Sequence, residues 1–175
     1  PDDHGVVVEA LRQHAALHRS TPAGEARTHL VRLPERPSAS ALVEALREAP
    51  PGPVLVHVTD KLFARSAPEA ADVLVALARE RRLVVALHDL PQPSDGVVNH
   101  PRRTEGYARI ARAAAAVVVA SRHEARLLEA CGVSAGEVPV AVVPLPVPQL
   151  PSGPRAVQPP EAVAVLGYLY PGKGH

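Results

Sequence analysis

Short apolar runs alternate along the chain with stretches whose apolar residues recur every three or four positions. The run Leu83-Val84-Val85-Ala86-Leu87 is unbroken, which predicts a strand buried on both faces, as in a parallel sheet. Similar runs predict strands over residues 28–33, 54–58, 116–120 and 138–143. Between them the period is helical. Val7, Leu11, His14 and Leu17 or His18 mark one amphipathic helix over about residues 6–19. Ser38 or Ser40 opens a second, which runs to about residue 49 and ends at Pro50-Pro51-Gly52. A third covers 68–81, with Pro68 in its first turn and arginines at its carboxyl end. A fourth starts at Pro101 and reaches Ala114. Ser121 and Glu124 form a capping-box pattern for a fifth, which stops at Gly132.

Strands separated by helices imply crossover connections and a parallel sheet. The expected fold is therefore α/β, a three-layer Rossmann-like domain with a parallel sheet and helices on both faces. Because the alternation opens on a helix, a first strand is expected upstream of Pro1. The texture changes after residue 143. Prolines at 144, 146, 148, 151, 154, 159 and 160 predict a stiff, extended linker. The apolar run at 162–166 and the Gly-rich loop after it then read as the opening of a second domain. The expected division is 1–143 for the Rossmann-like domain, 144–160 for the linker and 161–175 for the first strand and loop of an otherwise absent domain.

Composition narrows the class. A chain of 175 residues suits one domain with a sizeable core. Apolar residues make up 46% and aromatics only 2%, so the core must be built of Val, Leu and Ala. A net charge of +1 gives no general electrostatic case for nucleic acid or an anionic membrane. The single cysteine, Cys131, excludes an internal disulfide framework and fits a reducing, cytoplasmic setting. No apolar run approaches the roughly 18–20 residues of a membrane span, and no signal peptide is visible.

In open α/β sheets ligands bind beyond the carboxyl ends of the strands. His88 and Asp89 stand at such an end, and His57 and Asp60 bracket another as crevice lining. Arg102 and Arg103 follow Pro101 at the expected start of a helix, where the dipole disfavours cations. That placement makes sense if they meet an anion, such as a phosphate-bearing acceptor. His14 and His18 have ligand spacing on a helix, but no third ligand converges in the sequence, so no metal site is assigned. Gly167 to Lys173 fits a phosphate-binding P-loop up to the last position, where Gly174 replaces the required Ser or Thr. No Gly-x-Gly-x-x-Gly follows any strand.

Four elements then stand in order: His88-Asp89-Leu90 after an apolar strand; Ala116 to Ala120 followed by Ser121-x-x-Glu124; Val142-Val143-Pro144-Leu145-Pro146-Val147; and Leu166-Gly167-x-Leu169-x-Pro171-x-Lys173-Gly174. Together they resemble the N-terminal half of a retaining glycosyltransferase of the GT-B fold, in the large family four. The resemblance covers residues 80–175 well and the first 80 loosely. It implies an acceptor-side domain, with a nucleotide sugar as donor substrate, an unknown acceptor, and no cofactor. It implies that His88 reaches the transferred sugar, that Gly5 belongs to the loop near the donor phosphates and the acceptor, and that Lys173 lies near the donor diphosphate. Asp89 is expected on the donor and acceptor side of the site, fixing the loop rather than doing chemistry. Where that family often carries an arginine, this chain has Tyr168, so that phosphate contact is not implied. The fragment alone is expected to be inactive. Two alternatives stay open: a non-catalytic Rossmann-like domain that binds a ligand or partner, and a GT-B sugar epimerase.

Overall fold

The structure is a computed structural model that describes residues 5–20, 28–31 and 36–145. The chain divides into two compact units, Pro1–Pro144 and Leu145–His175. The described residues lie in the first, apart from Leu145. The expected linker and the strand at 162–166 fall outside them, as does Lys173.

The first unit is an α/β domain around a four-stranded parallel sheet. Its elements are α1 (Gly5–Ser20), α2 (Ala39–Arg47), β1 (Val54–Val58), α3 (Asp60–Phe63), α4 (Ala67–Glu80), β2 (Leu83–Leu87), a 3₁₀ turn (Pro93–Asp95), α5 (Gly96–Ala113), β3 (Ala116–Val119), α6 (Arg122–Ala130) and β4 (Val140–Val142). The sheet order is β1-β2-β3-β4, and every neighbouring pair is parallel. Val54 pairs with Leu83 and Val58 with Leu87, so β1 and β2 end level with each other.

Side chains alternate between the two faces of a sheet. One face carries Val58, Val85, Leu87, Val117 and Val119, all nearly inaccessible. These cluster with Leu74 and Leu77 of α4, Tyr107 and Ile110 of α5, and Leu128 of α6. Buried positions on α4 recur as Ala67, Ala70, Ala71, Leu74 and Leu77, the spacing of one helical face. The opposite face carries Leu55, His57, Val84, Ala86 and Val118 by the same alternation. It is less covered: Leu55 is 45% exposed. Helix α1 packs against β1, and its buried residue is Glu9, not an apolar one.

Caps form where the sequence places them. Ser38, of the two candidates, caps α2 and accepts from the Ala41 N–H at 3.1 Å. Ser121 and Glu124 make the reciprocal box on α6. Arg81 ties the loop before β1 by donating to the carbonyls of Leu46 and Pro50.

Two expectations are corrected. Residues 28–31 form no strand, so the described sheet has four strands and β1 lies at its edge. A strand exists only against a neighbour that takes its backbone donors and acceptors, and 28–31 make no such ladder. The helix expected from Pro101 begins instead at Gly96, with Pro101 inside it. Proline forfeits one N–H that would bond back to the Val97 carbonyl. Val97 is 92% exposed, so water can serve that carbonyl and the helix starts a turn early.

Candidate functional site

The carboxyl ends of β1 and β2 bring together four polar residues, His57, Asp60, His88 and Asp89. The register explains the pairing of the imidazoles. His57 is the partner of Ala86, and His88 lies two residues further on, so both side chains leave the same face. His57 Nδ1 stands 3.0 Å from His88 Nε2, and the rings stack at 5.3 Å and 17°. His57 is 9% exposed, whereas His88 is only half-buried. The His88 N–H donates to the Val58 carbonyl, which extends the ladder past the strand end. Its own carbonyl accepts from the buried Tyr107 hydroxyl at 3.1 Å.

Electrostatics keep the pair neutral at neutral pH. Burial, with His88 second, pushes the His57 pKa down to about 4, and Glu9 opposes this weakly. Burial also lowers His88, against the pull of Glu124 and Glu9. Glu9 therefore joins the site from α1. Its carboxylate accepts from Gln13 Nε2 at 3.1 Å. Neither apolar periodicity nor a motif marks it; a lone acid in an amphipathic helix reads as solvated.

Below the imidazoles lies an ionic knot. Arg103 Nε faces Asp60 Oδ2 at 3.3 Å, Nη2 faces Asp89 Oδ2 at 3.1 Å, and Nη1 binds Asp95. Nη2 also donates to the Asp89 carbonyl at 2.6 Å. The guanidinium sits over the Tyr107 ring, 5.5 Å from its centre. Burial works against the Arg103 charge, but Tyr107 and the three aspartates outweigh it and hold the group more firmly protonated. Burial, then Asp60, pushes Tyr107 up to about 12. Asp60 is 7% exposed, and its Oδ1 also accepts from the Lys61 N–H. Asp89 adopts φ +53°, the left-handed region that aspartate tolerates better than most residues.

The expected site residues fare differently. His88 and Asp89 stand at the strand end, with His57 and Asp60 beside them. Gly5 is the exposed first residue of α1. Arg102 is exposed. The anion argument for Arg102 and Arg103 loses its premise, because the helix starts at Gly96 and both arginines fall past its first turn, from where Arg103 reaches back to the N-cap residue Asp95. Arg103 is instead saturated by three carboxylates of its own chain. His14 and His18 stack at 6.1 Å, and among the described residues no group of three His, Cys, Asp or Glu side chains is disposed to hold a metal ion. Among those residues, too, no helix is long and apolar enough to cross a membrane. A shallow hollow between α2 and α4, lined by Val43, Arg47 and Glu80, lies at the other end of the strands.

The site can offer a hydrogen bond from a neutral imidazole at the strand end, in a loop whose carboxylates are tied down by Arg103. No protein-family model matches the chain, and no curated protein and no solved structure matches it.

Proposed function

We propose that this domain supplies the acceptor side of the cleft in a retaining GT-B glycosyltransferase that uses a nucleotide sugar. The observation that carries this reading is the neutral His57–His88 pair at the carboxyl ends of two parallel strands, where such sheets bind ligands. It is supported by the order of the four motifs, in which His88 matches the histidine that reaches the transferred sugar. With His88 Nε2 engaged by His57, the neutral imidazole keeps one nitrogen free to hydrogen-bond a sugar hydroxyl. Asp89, tied by Arg103 through both carbonyl and carboxylate, holds the loop. In the reaction the bond from the sugar's anomeric carbon to the donor diphosphate breaks, one to an acceptor hydroxyl oxygen forms, and the hydroxyl's proton passes to the departing diphosphate. The nucleoside diphosphate leaves, and the protein's part is to position the sugar and stabilise the departing charge. By the resemblance, Lys173 serves that diphosphate and Gly5 lies near it.

The test is release of nucleoside diphosphate from a panel of nucleotide sugars by the protein translated from the complete reading frame. His88→Ala lowers turnover by roughly 10–1000-fold, the range of a lost positioning or transition-state contact. Unaltered turnover removes the reading, and so does the lack of turnover with every donor tried.

A further inference from the structure

A hydrogen bond between two neutral imidazoles needs one donor and one acceptor. Here the remaining nitrogen of His57 decides which is which. His57 Nε2 is buried and has no hydrogen-bond partner among the described residues. If it carried the proton, a buried N–H would be orphaned, and genuinely orphaned buried N–H groups are rare and costly. If the proton sits on Nδ1, it lies within the 3.0 Å contact to His88, and only a lone pair is left without a partner. Protonating both nitrogens is opposed by burial. The nearby charges do not reverse this choice. Glu9, from α1, is engaged by Gln13. Glu124, from α6, accepts from the Ala120 and Ser121 N–H groups. Neither makes a hydrogen bond to an imidazole.

We propose that His57 is a positioning residue: it donates from Nδ1 to His88 Nε2 and so locks His88 in the Nδ1–H tautomer, which presents a fixed N–H donor to an acceptor oxygen of the ligand. Free histidine in water prefers the opposite, Nε2–H, tautomer. An unrestrained His88 would therefore leave its outer nitrogen mostly bare and favour ligands that donate. The lock selects a group that accepts, such as a sugar hydroxyl or ring oxygen. Stacking of the two rings fixes the direction of that donor as well as its chemistry. The proposal rests on the reading of His88 as the residue that faces the sugar, but its test reads the imidazoles themselves and needs no turnover.

The experiment is two-bond proton–nitrogen correlation spectroscopy of the imidazoles, on the uniformly ¹⁵N-labelled 175-residue chain at pH 7.5. Both His57 and His88 show a protonated Nδ1 and a bare Nε2. In His57→Asn an amide N–H replaces the Nδ1 donor, and His88 keeps its pattern. In His57→Leu the donor is gone, and the His88 Nδ1 signal shifts from the protonated range toward the bare-nitrogen range. A His57 protonated on Nε2, or a wild-type His88 averaged between tautomers as in free histidine, overturns the proposal. So does a folded His57→Leu protein in which His88 stays locked. If the Leu variant does not fold, the wild-type and Asn spectra decide alone. Turnover that His88→Ala abolishes, together with a wild-type His88 that is not locked, would leave the transferase reading standing and sink this one; a locked wild-type His88 in a protein that turns over no donor would do the reverse.

Discussion

Arg103 decides more than any other single residue whether the strand ends hold their shape. Its side chain is 13% exposed and meets Asp60, Asp89 and Asp95, so one guanidinium joins the ends of β1 and β2 to the turn that opens α5. Exposed pairs such as Arg109–Asp72 are worth little, because water competes for both partners. Asp60 is different, since its carboxylate is buried. Removing the cation leaves that charge unpaired in a poor dielectric, which typically costs about 3–5 kcal/mol. Arg103→Ala therefore destabilises the domain by about 3 kcal/mol, as read from urea unfolding. Arg103→Lys restores less than half of that, because a point charge cannot meet three carboxylates in a plane. A loss below about 1 kcal/mol in the alanine variant would mean that the knot is solvated and binds nothing together.

Helices α4 and α5 approach closely because small residues face each other, and Gly106 is the tightest point. A Cβ built there meets the Ala67 carbonyl oxygen at 2.7 Å and its carbon at 2.8 Å. These are backbone atoms beside the Ser66 cap of α4, and they cannot rotate away. Alanine would gain about 1 kcal/mol of helix propensity, but overpacking of this kind costs about 1–3 kcal/mol. Gly106→Ala should lower the melting temperature followed by circular dichroism, and a rise would show that the helices can part. The elements were legible in the sequence where the signal is local. Each strand of the sheet is a short, mainly Val, Leu and Ala run, and Ser121 with Glu124 marks the start of α6 within four residues. What local pattern missed depends on distant chain. Pro101 looks like a helix start until Asp95 and Arg103, eight positions apart, are seen to tie down the turn before it. Residues 28–31 have strand-like composition but no partner strand among the described residues. His57 and His88 were each visible at a strand end, whereas their contact follows from the register of β1 on β2, which no single-residue pattern states.

At the scale of the whole molecule, the site and the stability of the fold are linked through the two imidazoles. A group held at a pKa near 4 in the folded chain but near 6.5 when unfolded binds its proton first in the unfolded state. As pH falls from about 6.5 to 4 the unfolded chain takes up that proton and the folded chain does not, so stability falls with acidification. The penalty for keeping His57 neutral grows as pH falls below 6.5 and reaches about 3 kcal/mol as pH approaches the folded value near 4. His88, lowered for the same reason, adds to the slope with the same sign. Carboxylates held low by their partners act in a separate window. The Arg112 hydrogen bond holds Glu137 down to about 2, so its contribution persists above the ordinary glutamate range and is lost only as pH drops from about 4.5 toward 2. Between pH 6.5 and 4.5 the slope therefore belongs mainly to the histidine pair. Urea midpoints measured at half-unit steps across that window should fall steadily in the wild-type chain. In His57→Asn, which cannot titrate but keeps a donor toward His88, most of that slope should vanish. A flat wild-type profile, or an Asn variant that falls as steeply, would mean that His57 opens to water and takes its proton without unfolding the sheet.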